Sequence, residues 1–453
     1  MDTKGWDAVF ISSVNAVNKQ LAANTRDLIT TFDFRKQNTG GNSDTIRFYG
    51  DFGTWQISLD GSGKLIRFET PMNHLTLEIT MKDGSVQKST YQNILPIMEM
   101  QLKFVDNPSS ASMQDLKFDC TVKGKHPGDT TPGAVTTVNP DKSGQITSSN
   151  AETMVAWGIL NEFLPDLFIA NQDALNYVFA QLNLVPPSSS SWLAPKQFKY
   201  LYLNPTTGGT GFLAILAVMS NRDISALPLE VDSSLLDTTH EVFVAISEGL
   251  FLQHVIMPSL PAAYGNGATA GNFVYQPLTP TSGQVVNNGR LSAGSVREGL
   301  IDYYPHIDSL TLTVQNNQMV TATNGSFDIT GLAGAYVTYN VSAQNTFQYN
   351  PATNSFTFTR DPNPSVHYDK HIPWYDYVAA VIGGGIILAI VDTVVALVSD
   401  SIADSVAHSG GSGGQNVLAN ASATVVAWNG LQQVQVQKAV LAQAFYLCGA
   451  YVG

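Results

Sequence analysis

The chain has 453 residues, of which 44% are hydrophobic and only 13% charged, against roughly 25% charged in an average globular protein. Two or three cores are expected at about 150 residues each, with a polar surface drawn from Ser, Thr, Asn, Gln and Gly, a composition that suits pleated strands. The net charge of −13, from 23 basic and 36 acidic residues, excludes nucleic acid as a non-specific partner and disfavours anionic membranes, since both rely on clustered Lys and Arg; a neutral lipid or an apolar groove stays open.

The start, Met1 to Trp6, has no apolar stretch behind a basic end, so no conventional signal peptide is expected. The chain is read as made in the cytoplasm and as leaving the cell, if it does, by another route. Gly5 to Ala23 reads as an amphipathic helix, with Trp6, Phe10, Val14, Val17 and Leu21 recurring at three and four. Asp44 to Pro71 reads as paired strands around the turn Asp60-Gly61-Ser62-Gly63, whose glycines supply positive φ. Strand-like sequence continues to Thr121, and Lys125 to Ser149 reads as a Gly/Pro/Thr-rich connector.

Ala151 to Leu184 is predicted helical with an interruption near Pro165, and Pro186 to Ser191 is the best linker. The chain is accordingly divided into modules 1–187 and 188–453, between which helices and strands can be exchanged. Trp192 to Val218 is strand-like, and Thr239 to Ala263 reads as an apolar helix carrying Phe243, Ile246 and Leu250 and ending at its prolines. From Ile307 to Arg360, apolar residues such as Leu310, Leu312 and Val314 alternate with polar ones. That period marks a meander of long antiparallel strands with one face buried.

Tyr377 to Val398 is nearly free of charge and as a helix would span about 33 Å, enough for a bilayer core of about 30 Å. Asp392 within it would cost roughly 2.5–3.5 kcal/mol in a membrane, and Gly383-Gly384-Gly385 weakens an isolated helix. A helix buried against a concave sheet is the better reading; a membrane-inserting protein is the alternative. A flexible link, Ser409 to Gly414, and a tail with the alternation Val434-Gln435-Val436-Gln437 complete the chain.

Chemical motifs are sparse. Gly410-Gly411-Ser412-Gly413-Gly414 fits G-x-S-x-G but lies in low-complexity sequence after a helix, whereas a nucleophile elbow needs a strand before it. His367, Asp369 and His371 alternate as metal ligands on a strand would, yet Pro362, Pro364 and Pro373 around them favour an exposed bend. Ser85-Val86-Gln87-Lys88 meets S-x-x-K without its partner motifs, and no phosphate-binding, dinucleotide or zinc-protease signature is present. Cys120 and Cys448 leave a long-range disulfide and two buried thiols both open. No cofactor, metal or catalytic residue is expected, and the chain reads as a non-enzyme. Its candidate apolar lining is Trp6, Phe10, Val14, Val17, Phe243, Ile246, Leu250, Ile382, Ile386 and Ile390.

Gly5-Trp6-Asp7, Phe52-Gly53-Thr54-Trp55-Gln56-Ile57, Gly61-Ser62-Gly63, Ile246-Ser247-Glu248-Gly249-Leu250-Phe251-Leu252, Met257-Pro258-Ser259-Leu260 and Pro373-Trp374-Tyr375 together resemble bacterial TULIP (tubular lipid-binding) proteins. Within them the chain is similar to the OrfX-type accessory proteins encoded beside clostridial neurotoxins, over most of its length. The resemblance implies an α+β fold in which long curved antiparallel sheets wrap around long apolar helices, with an interior that can hold lipid. It also implies proteins encoded by neighbouring genes as partners, and it carries no catalytic residues. Fewer lysines and more Ala and Gly set this chain apart from the clostridial pattern.

Overall fold

Four apolar runs, Phe212–Val218, Ala8–Ser13, Val242–Ser247 and Ala444–Tyr451, lie side by side in an antiparallel sheet. Gln197–Leu203 and Val434–Leu441 form its edges. The computed structural model describes the chain except residues 38–43, 205–208, 299, 354, 374–391, 398–399, 401–403, 405–423, 432 and 453. Both faces of this central sheet are covered. Phe10, Ile215, Val244, Ile246 and Leu447 enter the main core from one face. Val9, Ile11, Leu216, Phe243 and Cys448 meet Trp6 and Leu235 in a second core on the other. The second core is roofed by the long connection between Val218 and Val242, which contributes Ile224, Leu227, Leu229, Val231 and Leu236.

Burial of both faces explains two departures from expectation. The helix anticipated over Gly5 to Ala23 is a strand, Ala8–Ser13, followed by a helix, Val14–Ala23. The helix anticipated over Thr239 to Ala263 is the strand Val242–Ser247 followed by short helical turns from Glu248 to Tyr264. A strand with two covered faces loses its polar alternation and becomes a continuous apolar run, which periodicity alone does not separate from a buried helix. The helix start at Val14 is set by Ser13, whose side chain accepts the Ala16 N–H at 3.2 Å.

A second sheet runs Val122–Lys123, Ala134–Asn139, Ile97–Asn107, Ser110–Asp119, Val178–Asn183, Val426–Trp428, with Gln56–Ile57 and Ile66–Glu69 attached. Its strand Ala134–Asn139 lies within the expected connector, where a short Ala-Val-Thr-Thr-Val run among glycines and prolines gives little signal. Helix Met154–Ala170 packs against this sheet and passes through Pro165 without interruption; the segment then turns into the strand Val178–Asn183 rather than remaining helical to Leu184. Rings of Trp55 and Phe168, 5.4 Å apart, join helix to sheet, and Phe118 bridges Phe68 at 5.1 Å and Phe179 at 5.0 Å. The expected linker carries a short 3-10 turn, Ser188–Leu193.

The meander expected from Ile307 to Arg360 is present as His306–Gln315, Gln318–Asp328, Tyr336–Asn350 and Ser355–Thr359. Leu310, Leu312 and Val314 are buried, opposite Thr323, Thr321 and Met319. Ser365–His371 also pairs with Tyr336–Asn350, so His367, Asp369 and His371 lie on an exposed strand, not a bend. A smaller sheet of Thr31–Gln37, Thr45–Phe52, Met72–Thr80 and Val86–Ile94 completes the larger pieces.

The described residues are therefore mostly β, in curled antiparallel sheets, rather than an even α+β mixture. Most of Tyr377 to Val398 lies outside the described residues, as does the Ser409 to Gly414 link. The described stretch 392–397 is helical, with Val394 and Val395 buried. Asp392 accepts a hydrogen bond from Tyr368, while Arg360 pairs with Asp400 and, at 3.3 Å, Asp404. Among the described residues, no helix is long and apolar enough to cross a membrane. Both cysteines are free thiols and buried.

Candidate ligand-binding site

Three strands of the central sheet end together at one edge of the main core. Asp7 precedes Ala8–Ser13, Met219 follows Phe212–Val218, and Ser247 closes Val242–Ser247. The backbone ties them together: Asp7 N–H donates to Ala217 O at 3.0 Å, and Ser247 N–H to Asp7 O at 2.8 Å. A cleft of about 570 Å³ opens over these ends, within the roughly 300–1,000 Å³ range of small-molecule sites. One wall is Trp192 stacked on His254, centroids 5.0 Å apart and planes 9° from parallel, with Leu250 and Met219 beside them. The opposite wall is Tyr275, Pro277, Thr279 and Pro280.

The polar floor is built around one ion pair. Asp7 accepts from Arg222 at 2.7 Å and from the Met219 N–H at 2.8 Å, while Arg222 also donates to Gly5 O at 2.5 Å. Burial raises the Asp7 pKa, and the Met219 N–H and the Arg222 charge only partly offset it. Ser247 Oγ and Arg222 Nε are buried, and neither has a hydrogen-bond partner among the described residues. A buried polar group left unpaired costs free energy, and both residues border the cleft. Burial lowers the His254 pKa and favours its neutral ring. Glu248, beside the cleft, is pushed up to about 7, chiefly by burial against the opposing N–H groups of Val314 and Gly283.

Glycine shapes the opposite wall. A Cβ on Gly249 or on Gly283 would lie 2.4 Å from the Tyr275 hydroxyl, so only glycine lets that ring seat over the strand ends.

Of the anticipated apolar lining, Leu250 borders this cleft. Phe10, Val14, Val17 and Ile246 pack in the main core, and Trp6 and Phe243 in the second. Val14 also borders a smaller polar pocket with Asn18, Asp60 and Lys142. Ile382, Ile386 and Ile390 lie outside the described residues. Asp7, Arg222, Ser247, His254, Trp192 and Tyr275 were not singled out as site residues from sequence. Asp7 and Ser247 did stand in the motifs that carried the family resemblance; Arg222 and Tyr275 carry no local signal, because only folding brings them to the same strand ends. His367 and Asp369 lie 3.7 Å apart on the exposed strand, and His371 stacks on Tyr336 at 4.5 Å.

Curled antiparallel sheets with two cores and a cleft over converging strand ends define a β-rich scaffold. The chain belongs to the OrfX-like family, described as Protein OrfX2/OrfX3/P47, which matches residues 3–444. It is 28% identical over 378 residues to Protein P47 of Clostridium botulinum (strain Kyoto / Type A2), covering 82% of this chain and 84% of that one. Protein OrfX3 of Paraclostridium bifermentans is 22% identical over 344 residues, 70% of this chain and 66% of its own. The solved structure of P47 from C. botulinum A2 superposes with a TM-score of 0.81 at 26% identity, over 99% of this chain and 98% of that one. P47 of C. botulinum E1 follows with a TM-score of 0.76 at 24% identity, over 99% of each chain.

Proposed function

We propose that this protein is a non-catalytic accessory component of a toxin-associated gene cluster that binds an amphiphile, a lipid or similar apolar molecule, in the manner of tubular lipid-binding proteins. The observation that carries this reading is the cleft over the strand ends, which sets apolar Trp192, Met219 and Leu250 beside Arg222 Nε and Ser247 Oγ. The apolar body of the ligand lies along the Trp192 wall. Its carboxylate or phosphate accepts from Arg222 and Ser247, and Lys196 at the rim adds positive charge. Membership of the OrfX-like family supports the accessory role, with proteins encoded by neighbouring genes as partners.

The test uses a fluorescent long-chain fatty acid. We expect saturable binding of one molecule per chain, weakened about tenfold or more by Arg222→Gln, as expected for a hydrogen bond to a charged group worth about 1.5–3 kcal/mol, and weakened also by Trp192→Ala, which removes the apolar wall. Absence of saturable binding, or affinity untouched by both substitutions, removes this cleft as the site. Failure of products of adjacent genes to co-purify with the chain removes the accessory role.

A further inference from the structure

The second core carries a different kind of chemistry at the far end of its roof. Asp237 and His240 stand three apart on the connection that leads into strand Val242–Ser247. Cys448 comes from the last strand and sits opposite Phe243 in the ladder. Each offers one ligand atom, and these atoms all lie within 4.8 Å of one another. From this arrangement we propose that Asp237, His240 and Cys448 form a site for a zinc-class divalent transition-metal ion, with water completing four-coordination.

The donor set is oxygen, nitrogen and sulfur. Imidazole and thiolate together select zinc and its neighbours over magnesium and calcium, which prefer oxygen alone. Bond lengths of about 2.0–2.1 Å to nitrogen or oxygen and about 2.3 Å to sulfur place tetrahedral ligand atoms roughly 3.3–3.6 Å apart. His240 Nδ1 is 2.8 Å from both oxygens of Asp237, so the pair needs to open by about half an ångström. The Asp237 carboxylate is already oriented by the backbone N–H groups of Thr239 at 2.9 Å and His240 at 3.0 Å. Such outer hydrogen bonds are what fix the ligands of real metal centres. Cys448 is 3% exposed, and its neighbour Tyr446 donates to Leu235 O at 2.5 Å, tying the same connection to the same strand. On binding, the thiol proton leaves to solvent and the thiolate joins the ion, with no change of oxidation state.

The site's consequence is mechanical. The roof between Val218 and Val242 is held at its start by Arg222 on Asp7 and midway by Trp6 Nε1 on Pro228 O at 2.9 Å. A metal at Asp237, His240 and Cys448 fastens its end to the C-terminal strand.

The full chain, freed of metal with a chelator, is titrated with Co²⁺ and separately with Zn²⁺. We expect one Co²⁺ per chain with thiolate-to-cobalt charge-transfer absorption in the near ultraviolet, and a higher Tm on adding Zn²⁺. Cys448→Ser abolishes the charge-transfer band, and His240→Ala weakens binding by more than the roughly 10–100-fold cost of disturbing an outer-shell partner. Cys120→Ser, in the other core, leaves both readouts unchanged. If Cys448→Ser does not fold, Asp237→Asn, at a half-exposed position, must weaken Co²⁺ binding in its place. Cobalt bound without the charge-transfer band, or a band that survives in Cys448→Ser, overturns the proposal.

Discussion

Glu248 shows how position sets the chemistry of a side chain in this molecule. It follows Ser247 at a strand end and opens the helical turn that forms one flank of the cleft. Burial lifts its pKa from 4.5 to about 7 against the pull of two backbone N–H groups. An acid whose pKa is raised in the folded state favours the fold while protonated. Its contribution is therefore complete below about pH 4.5 and is lost as pH rises through about 7. Asp7, also raised by burial, acts in the same direction. We expect thermal stability to decline between pH 5 and pH 8, and Glu248→Gln to flatten that decline. A Tm profile of the variant parallel to that of the wild type would show that Glu248 does not set it.

Beyond the shared apolar core, two tyrosines on the edge strand Gln197–Leu203 make polar contacts across to neighbouring segments. Tyr200 reaches from the central sheet to the second one, accepting the Leu102 N–H at 2.8 Å and donating to Lys64 O at 2.9 Å. Tyr202 donates to Ser58 O at 3.0 Å beside it. Both hydroxyls are pushed to high pKa by burial and stay protonated at any physiological pH. Tyr200→Phe leaves the Leu102 N–H without its acceptor, at a cost of about 1–3 kcal/mol. Urea unfolding should show that loss as a lower midpoint at unchanged slope; an unchanged midpoint would mean that another group takes up the N–H. At this scale the sequence was legible where one face of a strand is wet. The meander was visible because Leu310, Leu312 and Val314 alternate with polar residues. Ala8–Ser13 and Val242–Ser247 were mistaken for helix because both of their faces are covered. Val14, Val17 and Leu21 do share a helix face, as their spacing indicated.

Across the molecule, the central sheet ignores the division at residue 187. Its inner strand Ala8–Ser13 lies between Phe212–Val218 and Val242–Ser247, while Val426–Trp428 returns to pair with Val178–Asn183 in the second sheet. Segments 1–187 and 188–453 expressed apart should therefore each lack a strand the other supplies, and neither should unfold cooperatively alone. Co-expression should restore one complex with a single transition; a cooperative transition in either half by itself would contradict this interlocking. By itself the sequence determined the antiparallel meander and the OrfX-like family, because alternation and local motifs are properties of short stretches of chain. Only the tertiary structure decided that Asp7, Arg222 and Ser247 share one cleft and that Asp237, His240 and Cys448 share one corner. In each group one member, Asp7 or Cys448, stands more than two hundred residues of chain from the others; they meet only through strand pairing, and the register that aligns them is fixed by which faces are buried.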